Sequence, residues 1–299
     1  MSSAPGAAPP VRPRHVALLL VLAGIWGSSF FVIKIGVADI PALNFTALRL
    51  MLAMTGAVLV SLVIGRGLSR DPVLWRAAFF FGLFGNALPF FLISWGVEAI
   101  DSALAAILMA TMPLCTAVLA HFFAAGDRLT PPKATGVGLG FCGIVVLVGP
   151  AALQGLGGEL PRQLATAGGA VCYAISVVLA RNAPPAPLAH KVSATMIWSC
   201  LLVLAGALVT ATPWQVPTVE TIVAAAYLGL VATAFANVVF FHLVSQQTPS
   251  FVAFLNYLIP VFGIGFGAVI LDEAITLQAV GALAMILGGI FIASRRRLT

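Results

Sequence analysis

Long apolar stretches alternate with short polar connections along almost the whole chain. A helix needs about 20 apolar residues to cross the hydrocarbon core of a bilayer. On this basis the sequence predicts ten helices, at residues 16–36, 43–64, 73–97, 102–124, 133–150, 163–182, 190–211, 218–243, 249–271 and 276–294. The connections are too short for a separate aqueous domain, so we expect an all-α integral membrane protein with ten transmembrane helices.

The two halves of the chain resemble each other at an offset of 147 residues. Positions separated by this offset hold the same or a similar residue: Ser29/Ser176, Lys34/Arg181, Gly82/Gly229 and Pro113/Pro260. Each half contains five predicted helices, and an odd number of crossings inserts the second copy into the membrane upside down. We therefore predict two inverted five-helix repeats, at residues 15–150 and 151–299, preceded by a disordered tail at residues 1–14.

The composition is that of a chain that lies almost entirely in a membrane. Charged residues make up 8% of it and hydrophobic residues 61%, whereas soluble domains are about one-quarter charged. With the N-terminus in the cytoplasm, the predicted outer segments hold only two basic residues, Lys34 and Arg162. The positive-inside rule therefore predicts a multi-pass protein of the inner membrane with both termini in the cytoplasm.

This distribution explains the net charge of +6 without nucleic acid as a partner. The expected partners are the lipid bilayer and a small-molecule substrate, and the chain is expected to be a monomer or a homodimer. The cysteines all fall within predicted helices without CxxC spacing, so we interpret them as small buried residues; they are Cys115, Cys142, Cys172 and Cys200. No metal and no cofactor are expected.

An intramembrane enzyme would need a recognisable group of reactive side chains, such as an HExxH site, paired aspartates or a Ser/His arrangement. The four histidines are scattered, and every Asp and Glu lies near the end of a predicted helix. An ion channel would need rings of like charge, which the sequence does not show. A transporter remains. Because proton antiporters usually place a carboxylate in the membrane, we expect facilitated diffusion or exchange.

Several short motifs occur in order along the chain. They are Trp26-Gly27-Ser28-Ser29-Phe30 and Lys34 in helix 1, Leu48-Arg49 in helix 2, Pro113 and Pro260 in helices 4 and 9, and the acidic-x-x-Thr turns Asp127–Thr130 and Glu273–Thr276. In this arrangement residues 15–294 resemble the EamA family of the drug/metabolite transporter superfamily. Asp127 departs from the family pattern, which favours Glu at that position.

The resemblance implies an exporter of small organic metabolites that works by alternating access. The aromatic content of helices 1, 3 and 9 is most similar to that of the YddG-type bacterial exporters, which implies amino acids, including aromatic ones, as substrates. Transporters of nucleotide sugars, and of drugs or cations, share the fold and are the alternative.

Two features are predicted to be structural. Thr130 and Thr276 can cap the start of helices 5 and 10, where a neighbouring carboxylate also favours the positive helix end. Small residues allow close approach of helix backbones, and helices 5 and 10 are rich in glycine, at Gly136, Gly140, Gly143, Gly281, Gly288 and Gly289. We predict that these two helices are scaffold or dimer helices outside the transport path.

Polar and aromatic side chains share one face of several predicted helices. Asn is costly in lipid, so these faces are expected to turn inward, and aromatic walls with a few amides suit an amphipathic solute. The candidate substrate-binding residues are Trp26, Ser29, Phe30, Arg49, Asn86, Phe90, Tyr173, Ser176, Asn237, Phe241, Asn256 and Tyr257. For each Asn taken singly, a hydrogen bond between helices is the alternative.

Arg49 is the one charge well inside an apolar segment. An unpaired Arg at the centre of a membrane helix costs at least about 2.5 kcal/mol, so its side chain is expected to face protein, water or a ligand. Two interpretations are open: Arg49 attracts an anionic group such as a substrate carboxylate, or it pairs with Glu98 or Asp101 or snorkels to the interface.

Three prolines, Pro89, Pro113 and Pro260, lie inside predicted helices 3, 4 and 9. A proline within a helix removes one backbone hydrogen bond and kinks the helix. In transporters such kinks mark a cavity or a hinge. We predict kinks at these positions, with either a gating role or an architectural role common to both halves.

Overall fold

The computed structural model of the chain describes residues 12–123, 129–153, 159–180, 183–247 and 249–294, with the side chains at 148–153, 241, 244–245, 249–250 and 294 left out. Over these residues the fold is all helical. The helices, numbered in chain order, are α1 Pro13–Val37, α2 Ala42–Val63, α3 Pro72–Val97, α4 Ser102–Phe123, α5 Pro131–Leu153, α6 Leu160–Ala180, α7 Leu188–Val209, α8 219–246, α9 Leu255–Ile270 and α10 Leu277–Ser294.

Seven of these helices, α1–α4 and α6–α8, are long and apolar enough to cross a membrane. The apolar parts of α5, α9 and α10 are shorter. The helix ends lie within about three residues of the predicted ones except at the start of α9, which was predicted at residue 249 and lies at Leu255. A separate short helix, Pro249–Val252, precedes it. The predicted tail ends too late, however, because α1 begins at Pro13 with Arg12 as its N-cap, and proline is well suited to the first turn of a helix.

Two of the helices contain a π-helical segment that the sequence analysis missed. In α3 the segment is Leu83–Ala87, and in α8 it is Tyr227–Phe235. At the offset of 147 residues the first segment corresponds to residues 230–234, which lie within the second. π-Helical turns are frequent at functional sites because they redirect side chains and backbone groups.

Glycines allow α5 and α10 to pack backbone against backbone. A Cβ atom at Gly136 would collide with the carbonyl oxygen of Gly289, and one at Gly289 would collide with the carbonyl oxygen of Gly136. A similar approach joins α1 to α9, where a Cβ at Gly27 would lie 2.9 Å from the carbonyl oxygen of Ile259 and 3.1 Å from the nitrogen of Gly263. Close packing of α5 with α10 agrees with their predicted role as scaffold helices.

We call the face that carries the α1–α2, α3–α4, α7–α8 and α9–α10 connections the distal face, and the opposite face the terminal face. Polar contacts join the helix ends at the distal face. Glu98 accepts a hydrogen bond from the backbone nitrogen of Ala42 (2.8 Å) and forms an ion pair with Arg162. Asp39 accepts one from the backbone nitrogen of Thr218 (2.7 Å), which lowers the pKa of the Asp39 carboxyl.

Glu273 caps a different helix from the one predicted. Its carboxylate accepts hydrogen bonds from the backbone nitrogens of Ser102 (2.7 Å) and Ala103 (2.9 Å), at the start of α4. The expectation that it favours the start of α10 is therefore wrong, because the α9–α10 turn places the carboxylate at the positive end of α4 instead. Thr276 does cap α10, by accepting a backbone N–H of its first turn (3.1 Å). Asp127 lies outside the described residues.

All four cysteines are free. Cys172 and Cys200 are buried, as predicted, and Cys115 is partly buried. The prediction is wrong for Cys142, which is exposed on α5. This outer helix packs mainly against α10, so the face that carries Cys142 is left without protein neighbours.

Candidate functional site

A cavity of about 670 Å³ lies between α1–α4, α6, α8 and α9, a size typical of small-molecule sites. Its described lining residues are Trp26, Ser29, Phe30, Ile33, Arg49, Gly85, Asn86, Phe90, Ile93, Met109, Ala110, Met112, Tyr173, Ala232, Thr233, Asn237, Phe240, Gln247, Val252, Ala253, Leu255, Asn256, Ile259 and Pro260. None of them belongs to α5 or α10, the two helices predicted to be scaffold.

The cavity brings together most of the residues predicted to bind substrate, but two of them lie outside its lining. Ser176 faces α3, where its hydroxyl would lie 2.9 Å from a Cβ at Gly85. Tyr257 turns away from its neighbour Asn256 and lies against Phe254, with ring centroids 6.3 Å apart, because successive helical residues point about 100° apart. The side chain of Phe241 lies outside the described residues.

The three prolines occupy different settings. Pro260 is inside α9 and lines the cavity. Pro113 follows a break in α4 between Ser102–Met109 and Met112–Phe123. Pro89 is buried in the first turn after the π segment of α3. Pro260 therefore belongs to the cavity wall, and Pro113 and Pro89 each follow irregular backbone. A gating role for the three prolines stays a prediction.

Arg49 is buried at the cavity wall, with 6% of its surface exposed. Its Nη2 atom donates a hydrogen bond to the hydroxyl of Thr233 (3.3 Å), and its guanidinium carbon lies 3.6 Å from the centroid of the Phe90 ring. Its Nε is buried without a hydrogen-bond partner. Within the described chain no carboxylate contacts Arg49, and Glu98 binds Arg162 instead. Of the interpretations left open for Arg49, the ion pair with Glu98 or Asp101 is therefore wrong.

The π segment of α8 positions the hydroxyl group that Arg49 contacts. The Thr233 hydroxyl donates a hydrogen bond to the carbonyl of Leu228, five residues earlier (2.7 Å). Its oxygen is then oriented to accept from Arg49. One turn further on, Asn237 donates its side-chain N–H to the carbonyl of Thr233. Thr233 and Asn237 therefore form a polar strip beside an otherwise apolar wall.

Trp26 forms part of the aromatic wall and is held in place by two contacts. Its indole nitrogen donates to the carbonyl of Ala232 in the π segment (3.0 Å), and its ring lies 5.5 Å from that of Phe240. Because the N–H is satisfied by the protein, the ring can present an apolar face to the cavity. Phe30 and Tyr173 extend this wall on α1 and α6.

Gln247 is a lining residue that the sequence analysis missed. It is 7% exposed, its amide nitrogen lies 2.7 Å from Nδ1 of the buried His15, and its Oε1 is buried without a partner. Gln247 follows the end of α8, and His15 precedes the predicted start of α1. No helical pattern could therefore have paired them across 232 residues.

The arrangement is suited to binding rather than to covalent chemistry. In the described part of the chain no three His, Cys, Asp or Glu side chains come together as they would at a metal centre. The polar lining is made of amides, hydroxyls and one guanidinium. A guanidinium with unused donors binds carboxylate or phosphate groups, and the rings around it offer an apolar surface to the rest of a solute.

Known families and relatives resemble the chain over almost its entire length. The family model described as the EamA-like transporter family matches residues 14–149 and again residues 162–295. A "Probable amino-acid metabolite efflux pump" of Escherichia coli (strain K12) is 28% identical, with 94% of each chain covered. The "Uncharacterized transporter YoaV" of Bacillus subtilis (strain 168) is 24% identical, covering 90% of this chain and 92% of the relative.

A solved crystal structure is similar in fold. It shares 23% sequence identity with this chain and has a TM-score of 0.65. The match covers 95% of this chain and 98% of the other. The family match confirms the resemblance drawn from the motifs of helices 1, 2, 4 and 9.

Proposed function

We propose that this chain, which belongs to the EamA-like transporter family, exports small organic metabolites that carry a carboxylate, with amino acids, including aromatic ones, as the leading class. As a member of that family it is a multi-pass membrane transporter and not an enzyme. The observation that carries the finer proposal is the buried guanidinium of Arg49, which borders an aromatic cavity and contacts no carboxylate in the described chain.

Transport by alternating access of two inverted five-helix repeats, 15–150 and 151–299, is part of the proposal. The family model matches the chain twice, once in each half. The π segments of α3 and α8 lie at equivalent positions of the two halves. Lining residues come from both halves, which is the expected place for a substrate site in an inverted-repeat transporter.

We place the protein in the inner membrane with its terminal face toward the cytoplasm, following the distribution of Lys and Arg. The cavity lining extends to Gln247, Val252 and Ala253 near that face. At the distal face the helix ends are joined by Glu98 with Arg162 and by Glu273 with α4. This state would accept a solute from the cytoplasm, and export would require those distal contacts to open.

The chemistry of the lining favours an amphipathic anion over a drug or a cation. Arg49 attracts a carboxylate and repels a cation, which argues against the drug or cation class. Aromatic side chains such as Trp26 and Phe30 match a ring or a bulky apolar group. The name of the Escherichia coli relative, an amino-acid metabolite efflux pump, agrees with this substrate class.

The test compares a carboxylate with its amide in proteoliposomes. Arg49→Gln should lower transport of phenylalanine at least about tenfold, since a hydrogen bond to a charged group contributes about 1.5–3 kcal/mol, and should not lower transport of phenylalaninamide. Lys34→Gln is the control, because Lys34 donates to the carbonyl of Ile100 (2.6 Å) outside the cavity lining. An equal loss for both solutes, with less folded protein, would show that Arg49 is a packing residue.

A further inference from the structure

The cavity carries a positive charge that no negative charge of the lining balances. Arg49 is the one lining residue in the described chain that is charged at neutral pH. Three acidic side chains of the distal face have partners elsewhere: Glu98 binds Arg162, Glu273 caps the start of α4, and Asp39 binds Thr218. No Asp or Glu occurs among the described lining residues. A bound solute of charge −1 would therefore neutralise the site, whereas a zwitterion would leave its charge in place.

A zwitterionic α-amino acid also meets a local problem beside Arg49. Its ammonium group sits on the carbon next to the carboxylate, so it must lie near the guanidinium that holds the carboxylate, and like charges repel. The neighbouring groups compensate little. The Phe90 ring already faces the guanidinium, and the Thr233 hydroxyl donates its proton to Leu228. Tyr173, which is close enough to Arg49 to interact with it electrostatically, and Asn237 of the same lining offer only neutral groups.

A solute without the ammonium charge avoids both difficulties. If the nitrogen is acylated it becomes a neutral amide, which pairs well with a neutral amide of the lining such as Asn237. If the nitrogen is missing, the carboxylate binds Arg49 and the apolar remainder contacts the rings.

We infer that the cavity selects singly charged anions, namely carboxylates whose nitrogen is acylated or absent, over zwitterionic amino acids. This inference rests on the proposed function, because it requires Arg49 to hold the carboxylate, and among the carboxylate solutes of the same cavity it ranks free amino acids below singly charged anions. N-Acyl amino acids and arylalkyl carboxylates are then the preferred solutes, and free amino acids are weaker ones.

The first test is a ligand series on the purified wild-type protein in lipid nanodiscs, with binding measured by calorimetry. The ligands share one ring: phenylalanine, N-acetylphenylalanine, 3-phenylpropionate and N-acetylphenylalaninamide. The two anions should bind with a Kd at least about tenfold lower than that of phenylalanine, because the ammonium is both desolvated and repelled. The uncharged amide should also bind more weakly than the anions. Phenylalanine binding as tightly as N-acetylphenylalanine would overturn the inference.

The second test supplies the missing negative charge. Asn237→Asp places a carboxylate one helical turn from Thr233, and it should lower the Kd of phenylalanine relative to that of N-acetylphenylalanine by about tenfold. Asn237→Leu is the matched control, because it removes the same hydrogen bond to the Thr233 carbonyl without adding charge. The inference is contradicted if the ratio of the phenylalanine Kd to the N-acetylphenylalanine Kd is the same in Asn237→Asp and in Asn237→Leu. If Asn237→Asp is not monodisperse, the ligand series on the wild type decides.

Arg49→Gln separates failure of this inference from failure of the proposed function. If the variant binds every ligand as the wild type does, recognition of a carboxylate by Arg49 is refuted, and the proposed function with it. If the variant loses affinity for phenylalanine and N-acetylphenylalanine alike, while the wild type prefers phenylalanine, only the charge preference is wrong.

Discussion

The guanidinium carbon of Arg49 lies 3.6 Å from the centroid of the Phe90 ring. This contact joins α2 to the part of α3 that follows its π segment, and it explains how a buried Arg is tolerated without a carboxylate beside it. A desolvated cation over an aromatic face gains about 2 kcal/mol. The stack also sets the plane of the guanidinium, so that its remaining N–H groups have a defined direction when a solute enters.

Phe90→Leu should weaken binding of carboxylate solutes by about 2- to 30-fold, the equivalent of about 0.5–2 kcal/mol for the lost cation–π contact. Phe79→Leu is the control on the same helix, since Phe79 packs edge-on against Trp198 (5.3 Å) and does not line the cavity. The measurement is the Kd of a carboxylate and of its amide for the wild type and for both variants. A loss of the same size for both solutes would assign Phe90 to packing alone.

Glu98→Gln should increase access to the cavity from the distal side. Glu98 and Arg162 are each about one-quarter exposed (side-chain exposures 25% and 26%), so their pair contributes at most about 1 kcal/mol. A shift of up to about fivefold in the population of the open state follows. The measurement is labelling of Ile93→Cys by an impermeant maleimide, in a background without native cysteines.

Asp71→Asn serves as the control for this labelling, because Asp71 accepts a hydrogen bond from the backbone nitrogen of Val73 (2.9 Å) at the terminal face. It should leave distal labelling unchanged. Equal labelling in the wild type and in Glu98→Gln would argue against a distal gate that includes this ion pair.

Gly289→Ala should destabilise the protein by about 1–3 kcal/mol, the usual effect of forcing extra volume into a close contact, because the new Cβ meets the backbone of Gly136. Gly281→Ala, on the same helix, has no neighbouring atom within 4 Å and should unfold like the wild type. Thermal unfolding in detergent gives the comparison. Transport per folded molecule should be unchanged in both, since α10 contributes no described lining residue; a selective loss of transport would place α10 in the path.

Cysteines at Ala38 and Pro185, which are exposed residues separated by the repeat offset of 147, should label from opposite sides of the membrane. Inverted repeats place the α1–α2 connection outside and the α6–α7 connection in the cytoplasm. Impermeant maleimide applied to intact cells and to inverted vesicles distinguishes the two sides. Labelling of both positions from one side would exclude inverted repeats.

Much of the fold follows from the sequence alone, because hydrophobic segments in a bilayer have few options. A backbone surrounded by lipid must satisfy its own hydrogen bonds, so a long apolar run becomes a helix. This is why the ends of α2, α3 and α7 are close to the predicted ones. The faces that carry Trp26, Asn86 and Asn237 were also predictable, since Asn is costly in lipid and marks the interior.

The partners of individual polar residues could not be predicted in the same way. Glu273 was placed correctly in a turn, but the helix that it caps, α4, is brought to it only by the packing of α4 against α9. Gln247 and His15 lie beyond the predicted helix ends and meet only because α8 lies beside α1. Such contacts depend on the rotation and depth of each helix, which local hydrophobicity does not determine.

Sequence by itself determined the family, the helical segments and a set of inward-facing residues, all of which depend on composition and on spacing along one helix. Tertiary structure alone decided that Arg49 stacks on Phe90 and not beside Glu98. It also decided that the π segments turn Asn86 and Thr233 to the cavity. The physical reason is that a charge in a low-dielectric interior interacts strongly with whatever group is nearest, and which group is nearest is a property of the packed bundle.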